Sequence, residues 1–323
     1  MITAELRRAI LAVAGPDQDP QLRPGPAPGS YTSSLPFRLG PGPRHALAAR
    51  LAGEPWIATA GLTSPGYLTV TVTHEALASL AVRVTRAGPA CTASDALRGR
   101  TVPAPATADL TAAPDWPSAR AALAAEVTAR LAATAGATFY RERPFLPPPV
   151  LLSPLTEAVA LPLPEAIAYA GPDAVRFALA RTPPGGDPPR AAVIARHILG
   201  NPAYAVRYAH AAAAAVLRWA ADSGVNGPGG FRPRLLVAPP ELALLDALSW
   251  LPERVAVAAR RGRPDEFAGY LEELAARTID TMSTTGFTTI SSITSERLWL
   301  AHAARTGLAA ALGLLGLDAP NRL

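Results

Sequence analysis

Asn201 and Pro202 open the stretch that most constrains how this chain can fold. An asparagine side chain caps the free amides of a first helical turn. Proline is favoured there because its missing N–H has no partner to lose. Alanine dominates the residues after this pair, which favours helix. At 100° per residue, Tyr204, Arg207, Tyr208, His210 and Arg218 fall within a sector of roughly 160°. Ala205, Val206, Ala209, Ala212, Ala213, Val216, Leu217 and Ala220 fill the remainder. One face is therefore apolar and small enough for close helix packing. The other carries two aromatic rings, two guanidinium groups and an imidazole. Such a face suits single-stranded RNA, whose splayed bases stack on tyrosine or arginine planes. One stacked base contributes about 1–3 kcal/mol, and arginines on phosphates make binding salt-dependent. The competing reading is structural: half-buried tyrosines with their hydroxyls at the surface, and His210 bonded to a neighbouring loop.

The stretch Gly200-Asn201-Pro202-Ala203-Tyr204-Ala205-Val206-Arg207-Tyr208-Ala209-His210-Ala211 resembles the signature N-P-V-Y-Y-V-Q-Y-A-H-A-R. That signature opens the main helix of the anticodon-binding domain of arginyl-tRNA synthetases. Further resemblance surrounds it. Leu163-Pro164-Glu165-Ala166-Ile167 and Gly171-Pro172-Asp173-Ala174-Val175-Arg176-Phe177 are similar to the helix pair that leads into that domain. Leu312-Gly313-Leu314-Leu315-Gly316-Leu317-Asp318-Ala319-Pro320-Asn321-Arg322-Leu323 is similar to the family's final helix and its tail, L-G-V-x-A-P-E-R-M. Near the N-terminus, Gly29-Ser30-Tyr31-Thr32-Ser33-Ser34 resembles G-D-Y-x-T-N, and Ala60-Gly61-Leu62-Thr63-Ser64-Pro65-Gly66-Tyr67-Leu68 resembles a strand–turn–strand of the synthetase N-terminal domain. In the family that domain touches the tRNA elbow at the D-loop.

The departures carry information too. Ala205, Arg207 and Ala212 replace the family's second Tyr, its Gln and its following Arg, so base specificity is open to drift. Ser30 and Ser34 replace Asp and Asn, which removes an amide from the expected D-loop contact. The chain also has neither an H-I-G-H turn nor a K-M-S-K-S loop, with which class I synthetases activate the amino acid. It contains no lysine; all 30 Lys+Arg positions are arginine. A GC-rich coding bias explains arginine for lysine. The functional alternative is that an arginine fork grips phosphate and stacks on bases.

Composition narrows the remaining classes. The 323 residues are 49% hydrophobic, enough for a sizeable core. A net charge of +5 fits an acidic partner such as RNA. The single cysteine, Cys91, excludes an internal disulfide and has no base near it in sequence. His45, His74, His197, His210 and His302 are scattered, without metal-ligand spacing, and no metal or other cofactor is expected. No apolar run is long enough to span a bilayer. Arg7-Arg8 before Ala9-Ile10-Leu11-Ala12-Val13-Ala14 imitates a signal peptide, but the apolar part is short and Glu5 precedes it. The start reads as a first helix, and the expected location is the cytoplasm.

Along the chain, helices are expected at 1–15, 44–53, 74–86 and 117–135, and strands at 56–60 and 67–72, joined by a turn at Ser64-Pro65-Gly66. Five prolines in 16–29 oppose helix there. The expected domains are a small α+β unit at 1–88, an irregular connector at 89–150 in place of a catalytic core, and a helical anticodon-binding domain at 151–323. Pro103-Ala104-Pro105 and Pro147-Pro148-Pro149 bracket the connector helix. Gly227-Pro228-Gly229-Gly230 lacks the Lys and Ser/Thr of a phosphate loop and reads as flexible. The Ser/Thr-rich run 281–296 reads as a solvated link between late helices. Glu272-Glu273 and Asp265-Glu266 are adjacent carboxylates that face different ways on a helix, which suits solvent rather than acid–base chemistry.

The expected fold class is mostly α: a C-terminal helical bundle of the class I synthetase anticodon-binding type with a small N-terminal α+β domain. The expected function, implied by the resemblance, is that of a non-catalytic protein binding the anticodon arm of arginine tRNA and acting beside a tRNA-dependent enzyme or synthetase. Tyr204, Arg207, Tyr208, His210 and Arg218 are the expected RNA contacts. The alternatives are a protein–protein adaptor that kept the fold without RNA binding, and one subunit of a split arginine–tRNA ligase. Arginines gathered near Tyr204 and Tyr208 favour RNA; a neutral apolar patch favours the adaptor.

Overall fold

The computed structural model describes residues 1–323 except 17, 105, 141–160, 226–228 and 290–292. Pro147–Pro149, the start of the expected third domain at 151, and parts of the expected links at 227–230 and 281–296 lie outside the described residues.

The chain begins with α1 (Ile2–Ala14), whose Ile2, Leu6 and Ile10 are fully buried. Short strands β1 (Leu22–Pro24) and β2 (Ser30–Ser33) come after it. They form in the stretch where the prolines only excluded helix. β1 is an edge strand, so the N–H missing from Pro24 costs the sheet little. Next come α2 (Pro41–Ala52), β3 (Ile57–Thr63), β4 (Tyr67–Val72), α3 (His74–Ala78) and α4 (Leu80–Ala87). The sheet order is β1-β2-β4-β3, antiparallel throughout. Leu68, Val70 and Val72 of β4 alternate into the core, as the period of a strand requires. The single helix expected at 74–86 is divided at Ser79, whose hydroxyl donates to Glu75 O at 2.6 Å.

Strand β5 (Thr101–Pro103), helix α5 (Trp116–Thr134) and strand β6 (Thr138–Tyr140) come next. β5 and β6 pair in parallel and α5 is the crossover between them, a βαβ unit that the sequence patterning did not announce. Asp115 caps α5, its carboxylate accepting from Ser118 N at 2.7 Å. The buried Leu123, Val127 and Leu131 join α5 to the same core as the later helices.

The rest is helical: α6 (Leu163–Ala170), α7 (Pro172–Arg181), α8 (Ala191–Ile194), α9 (Pro202–Asp222), α10 (Pro239–Ser249), α11 (Leu251–Arg261), α12 (Pro264–Met282), α13 (Thr285–Thr288) and α14 (Ser295–Leu314). The protein is therefore mostly α, with a helical bundle and a small α+β unit. α9 lays its small apolar face, Ala203, Val206, Ala209 and Ala213, against α12 and α14. α14 is the central helix. Its Gly307 lets α10 and α11 approach so closely that a Cβ there would lie 2.7 Å from Leu248 Cδ2.

Buried polar contacts fasten the α+β unit to the bundle. Gly29 N donates to Asp246 Oδ1 at 2.8 Å, and Tyr31 Oη donates to Ser249 Oγ at 2.8 Å. Thr3 Oγ1 donates to Ser249 O at 2.6 Å. Arg7 forks onto Glu253, with Nη2–Oε1 2.7 Å and Nε–Oε2 3.1 Å, and both side chains are buried. Tyr31 also lies against Trp250, with ring centroids 5.3 Å apart. These bonds fix the N-terminal sheet on α10 and α11, so the two parts share one core.

Candidate nucleic-acid interface

Helix α9 begins as its sequence requires. Asn201 Oδ1 accepts from Ala203 N at 3.2 Å, and Pro202 holds the first helical position. The same side chain does a second job. Asn201 Nδ2 donates to Ile194 O and Arg196 O, both at 2.7 Å. A buried asparagine with three partners thus ties the loop after α8 to the start of α9.

That tie sets the site. It brings His197 over Tyr204, with ring centroids 5.5 Å apart and planes inclined by 11°. Tyr204 in turn stacks on Tyr208, one helical turn along, at 5.8 Å and 26°. The three rings form a continuous ladder, with Tyr208 and His197 exposed and Tyr204 half-buried between them. Arg196, Ile198 and Leu199 flank His197 in the chain and are exposed, Ile198 and Leu199 by 51% and 52%, while Arg190 lines a separate cleft with Arg181, Asp187 and Val193. Aromatic rungs next to guanidinium groups are the elements from which single-stranded RNA platforms are built.

The sector expected to hold five contacts divides in the structure. Tyr204 and Tyr208 stand together on the ladder. Arg207 leans toward the start of α7, with Nη2 3.6 Å from Asp173 Oδ2. Burial raises the Asp173 carboxyl above its ordinary value, and the Arg207 charge opposes that rise. His210 lies off the ladder, 2% exposed, and its Nδ1–H donates to Pro320 O at 2.8 Å. Burial lowers its pKa, the bond to Pro320 opposes that, and the Arg305 charge adds to the lowering. Arg218 Nη1 donates to Asn321 O at 2.7 Å. His210 and Arg218 therefore clasp the C-terminal tail against α9, because their positions on the helix turn toward α14 rather than toward the open loop.

His197 is the site residue the sequence reading passed over. The two hydrogen bonds from Asn201 to the preceding loop are its physical cause, and a cap residue followed by proline was the available hint. A second exposed aromatic pair lies on the α+β unit: Phe37 and Tyr67 meet edge to face with centroids 4.9 Å apart.

The other candidates take structural roles. Cys91 is buried, and burial pushes its thiol up to about 12. Glu272 pairs with Arg181, Asp265 with Arg263 and Glu266 with Arg261. Among the described residues, no cluster of His, Cys, Asp or Glu is arranged to hold a metal ion, and no helix is long and apolar enough to cross a membrane.

Residues 206–323 match the model of the DALR anticodon binding domain. An arginine–tRNA ligase of Clavibacter sepedonicus is 40% identical over 137 residues, which is 41% of this chain and 24% of that protein. An arginine–tRNA ligase of Kineococcus radiotolerans is 38% identical over 136 residues, again 41% of this chain and 24% of that protein. The matched part of the chain thus spans about a quarter of the length of these relatives. The solved structure of Thermus thermophilus arginyl-tRNA synthetase is similar over 100% of this chain and 59% of its own, with 20% identity and a TM-score of 0.43.

Proposed function

We propose, from the premise that residues 206–323 are a DALR anticodon-binding domain, that this chain binds the anticodon arm of a tRNA and does not itself aminoacylate it. The carrying observation is the His197–Tyr204–Tyr208 ladder, with Arg196 preceding His197 in the chain. The inner faces of the rings stack on one another, so loop bases would stack on the outer faces of His197 and Tyr208. The relatives are arginine–tRNA ligases, so arginine tRNA is the first candidate.

Two features support a non-catalytic role for this chain. Its sequence holds neither H-I-G-H nor K-M-S-K-S. In the βαβ unit, the helix N-terminus beside the parallel strands is where such folds receive phosphate. Here the Asp115 carboxylate already accepts the amide of that first turn and sets a negative charge there.

A second reading, a protein–protein adaptor, is favoured by Ile198 and Leu199, which expose apolar surface at the ladder's edge. One experiment separates the readings. Binding of labelled arginine tRNA, the same tRNA with its middle anticodon base changed, and an unrelated tRNA is measured by fluorescence anisotropy, with pyrophosphate exchange assayed in parallel. The proposal expects at least ten-fold preference for the unchanged arginine tRNA, about 1.4 kcal/mol, and no exchange. Absence of binding at low salt contradicts it and favours the adaptor. Exchange by the chain, alone or with a co-purifying nucleotide-binding subunit, contradicts the non-catalytic part and indicates a ligase.

A further inference from the structure

The loop between α7 and α8 forms one side of a cleft of about 380 Å³, closed by the end of α7, by α8 and by the start of α9. Its floor is apolar: Phe177, Ile194 and Ala203 are buried there, and Val193 stands exposed at the rim. The loop is held in shape. Arg120 of α5 braces it, with Nη1 donating to Gly186 O at 2.7 Å. Gly185 takes a positive φ of 78°, and a Cβ at Gly186 would lie 2.9 Å from Thr182 Cγ2, so the turn needs both glycines.

The next four residues, Asp187-Pro188-Pro189-Arg190, form a stiff spacer. Each proline fixes its own φ near −65° and pushes the residue before it into extended backbone. Arg190 is extended too, with φ −77° and ψ 115°. A polyproline II segment rises about 3.1 Å per residue and has three residues per turn. Asp187 and Arg190, three residues apart, therefore face the same way with about 9 Å between their backbones, and both line the cleft.

Neither charge is used within the chain. Among the described residues, Asp187 and Arg190 are exposed and have no salt bridge and no side-chain hydrogen bond. Arg181, at the same cleft, is instead held by Glu272. The cleft thus presents one anion and one cation, unpaired with each other, beside an apolar floor. A complementary ligand carries an opposite charge at each end of an apolar body. An extended peptide spans about 3.3–3.6 Å per residue, so a free ammonium and a free carboxylate three residues apart match the spacer.

We propose that the cleft binds a short apolar peptide by its two free ends. The N-terminal ammonium meets Asp187, the C-terminal carboxylate meets Arg190, and the side chains rest on Phe177, Val193 and Ile194. The site uses no ring of the ladder and no residue of the C-terminal tail, so it stands apart from the proposed tRNA binding.

The test titrates the full chain by isothermal calorimetry with the tripeptide Leu-Ala-Leu, its N-acetylated form, its C-terminal amide and the form blocked at both ends. The free tripeptide is expected to bind most tightly, and each single block to weaken it about three-fold, the scale of a partly exposed ion pair. Arg190→Gln should bind the free and amidated peptides alike while still rejecting the acetylated one, and Asp187→Asn should do the reverse. Neither variant loses an internal partner, so unchanged thermal melting checks the fold. Absence of saturable binding at millimolar peptide overturns the proposal. Equal affinity for the free and doubly blocked peptides also overturns it, and assigns the cleft to an internal segment of a protein partner. Discrimination between the four peptides that survives both substitutions places the binding elsewhere and overturns it as well.

Discussion

Tyr208 stacks on Tyr204 with ring centroids 5.8 Å apart, and Tyr208 is the rung of the ladder that meets solvent from the α9 side. A ring in that position adds contact area for a base and little to the core beneath. Tyr208→Ala is therefore expected to weaken hairpin binding by about 1–3 kcal/mol with little change in melting temperature. Tyr208→Phe keeps the ring and most of the affinity. Anisotropy with both variants checks this, and equal loss in both would assign the effect to the hydroxyl instead of the stack.

The Arg7–Glu253 pair joins α1 to α11 with both side chains buried. Its attraction is offset by desolvation, but removal of one partner strands the other charge. Arg7→Met is expected to lower stability by about 3–5 kcal/mol, read as a shift of the urea midpoint. Replacing both partners with apolar residues of similar size should recover much of that loss.

Burial, followed by the Arg305 charge, lowers the pKa of His302; burial lowers that of His210 as well, against the opposing bond to Pro320. The folded chain then holds fewer protons than the unfolded chain between the lowered values and the ordinary value of 6.5. Stability from these groups is fully present above that value and falls as acid carries the pH down through the window. Urea midpoints compared at neutral pH and at about pH 5.5 should show the fall. His210→Gln with His302→Gln should flatten it, and an unchanged slope in that double variant would contradict the assignment.

Gly307 sits where α14 meets α10 and α11, and a methyl group there would press on Leu248 and Leu251. Overpacking of a filled core costs about 1–3 kcal/mol. Gly307→Ala is expected to lower the melting temperature despite the better helix propensity of alanine, and a rise would show that the neighbouring leucines yield.

Much of this arrangement is written in local sequence. The Asn201-Pro202 start, the small apolar face of α9 and the strands around Ser64-Pro65-Gly66 come from caps, period and turn chemistry, because those signals act within a few residues. The features that escape such reading depend on chain segments far apart. The tail reaches His210 from 110 residues away and Arg218 from 103, and no helical projection reveals that. The stack of His197 on Tyr204 depends on a loop folded by Asn201, whose two Nδ2 hydrogen bonds are invisible in a cap rule. β1 and β5 each end in proline, which masked them as strands.

The ladder is tested most directly by the affinity of the chain for an isolated anticodon-arm hairpin of arginine tRNA against an acceptor-arm hairpin of the same tRNA, repeated with Tyr204→Ala. The ladder predicts that the anticodon arm binds more tightly by ten-fold or more, about 1.4 kcal/mol, and that Tyr204→Ala removes the difference. Equal binding of the two arms, or a preference indifferent to Tyr204, would contradict it.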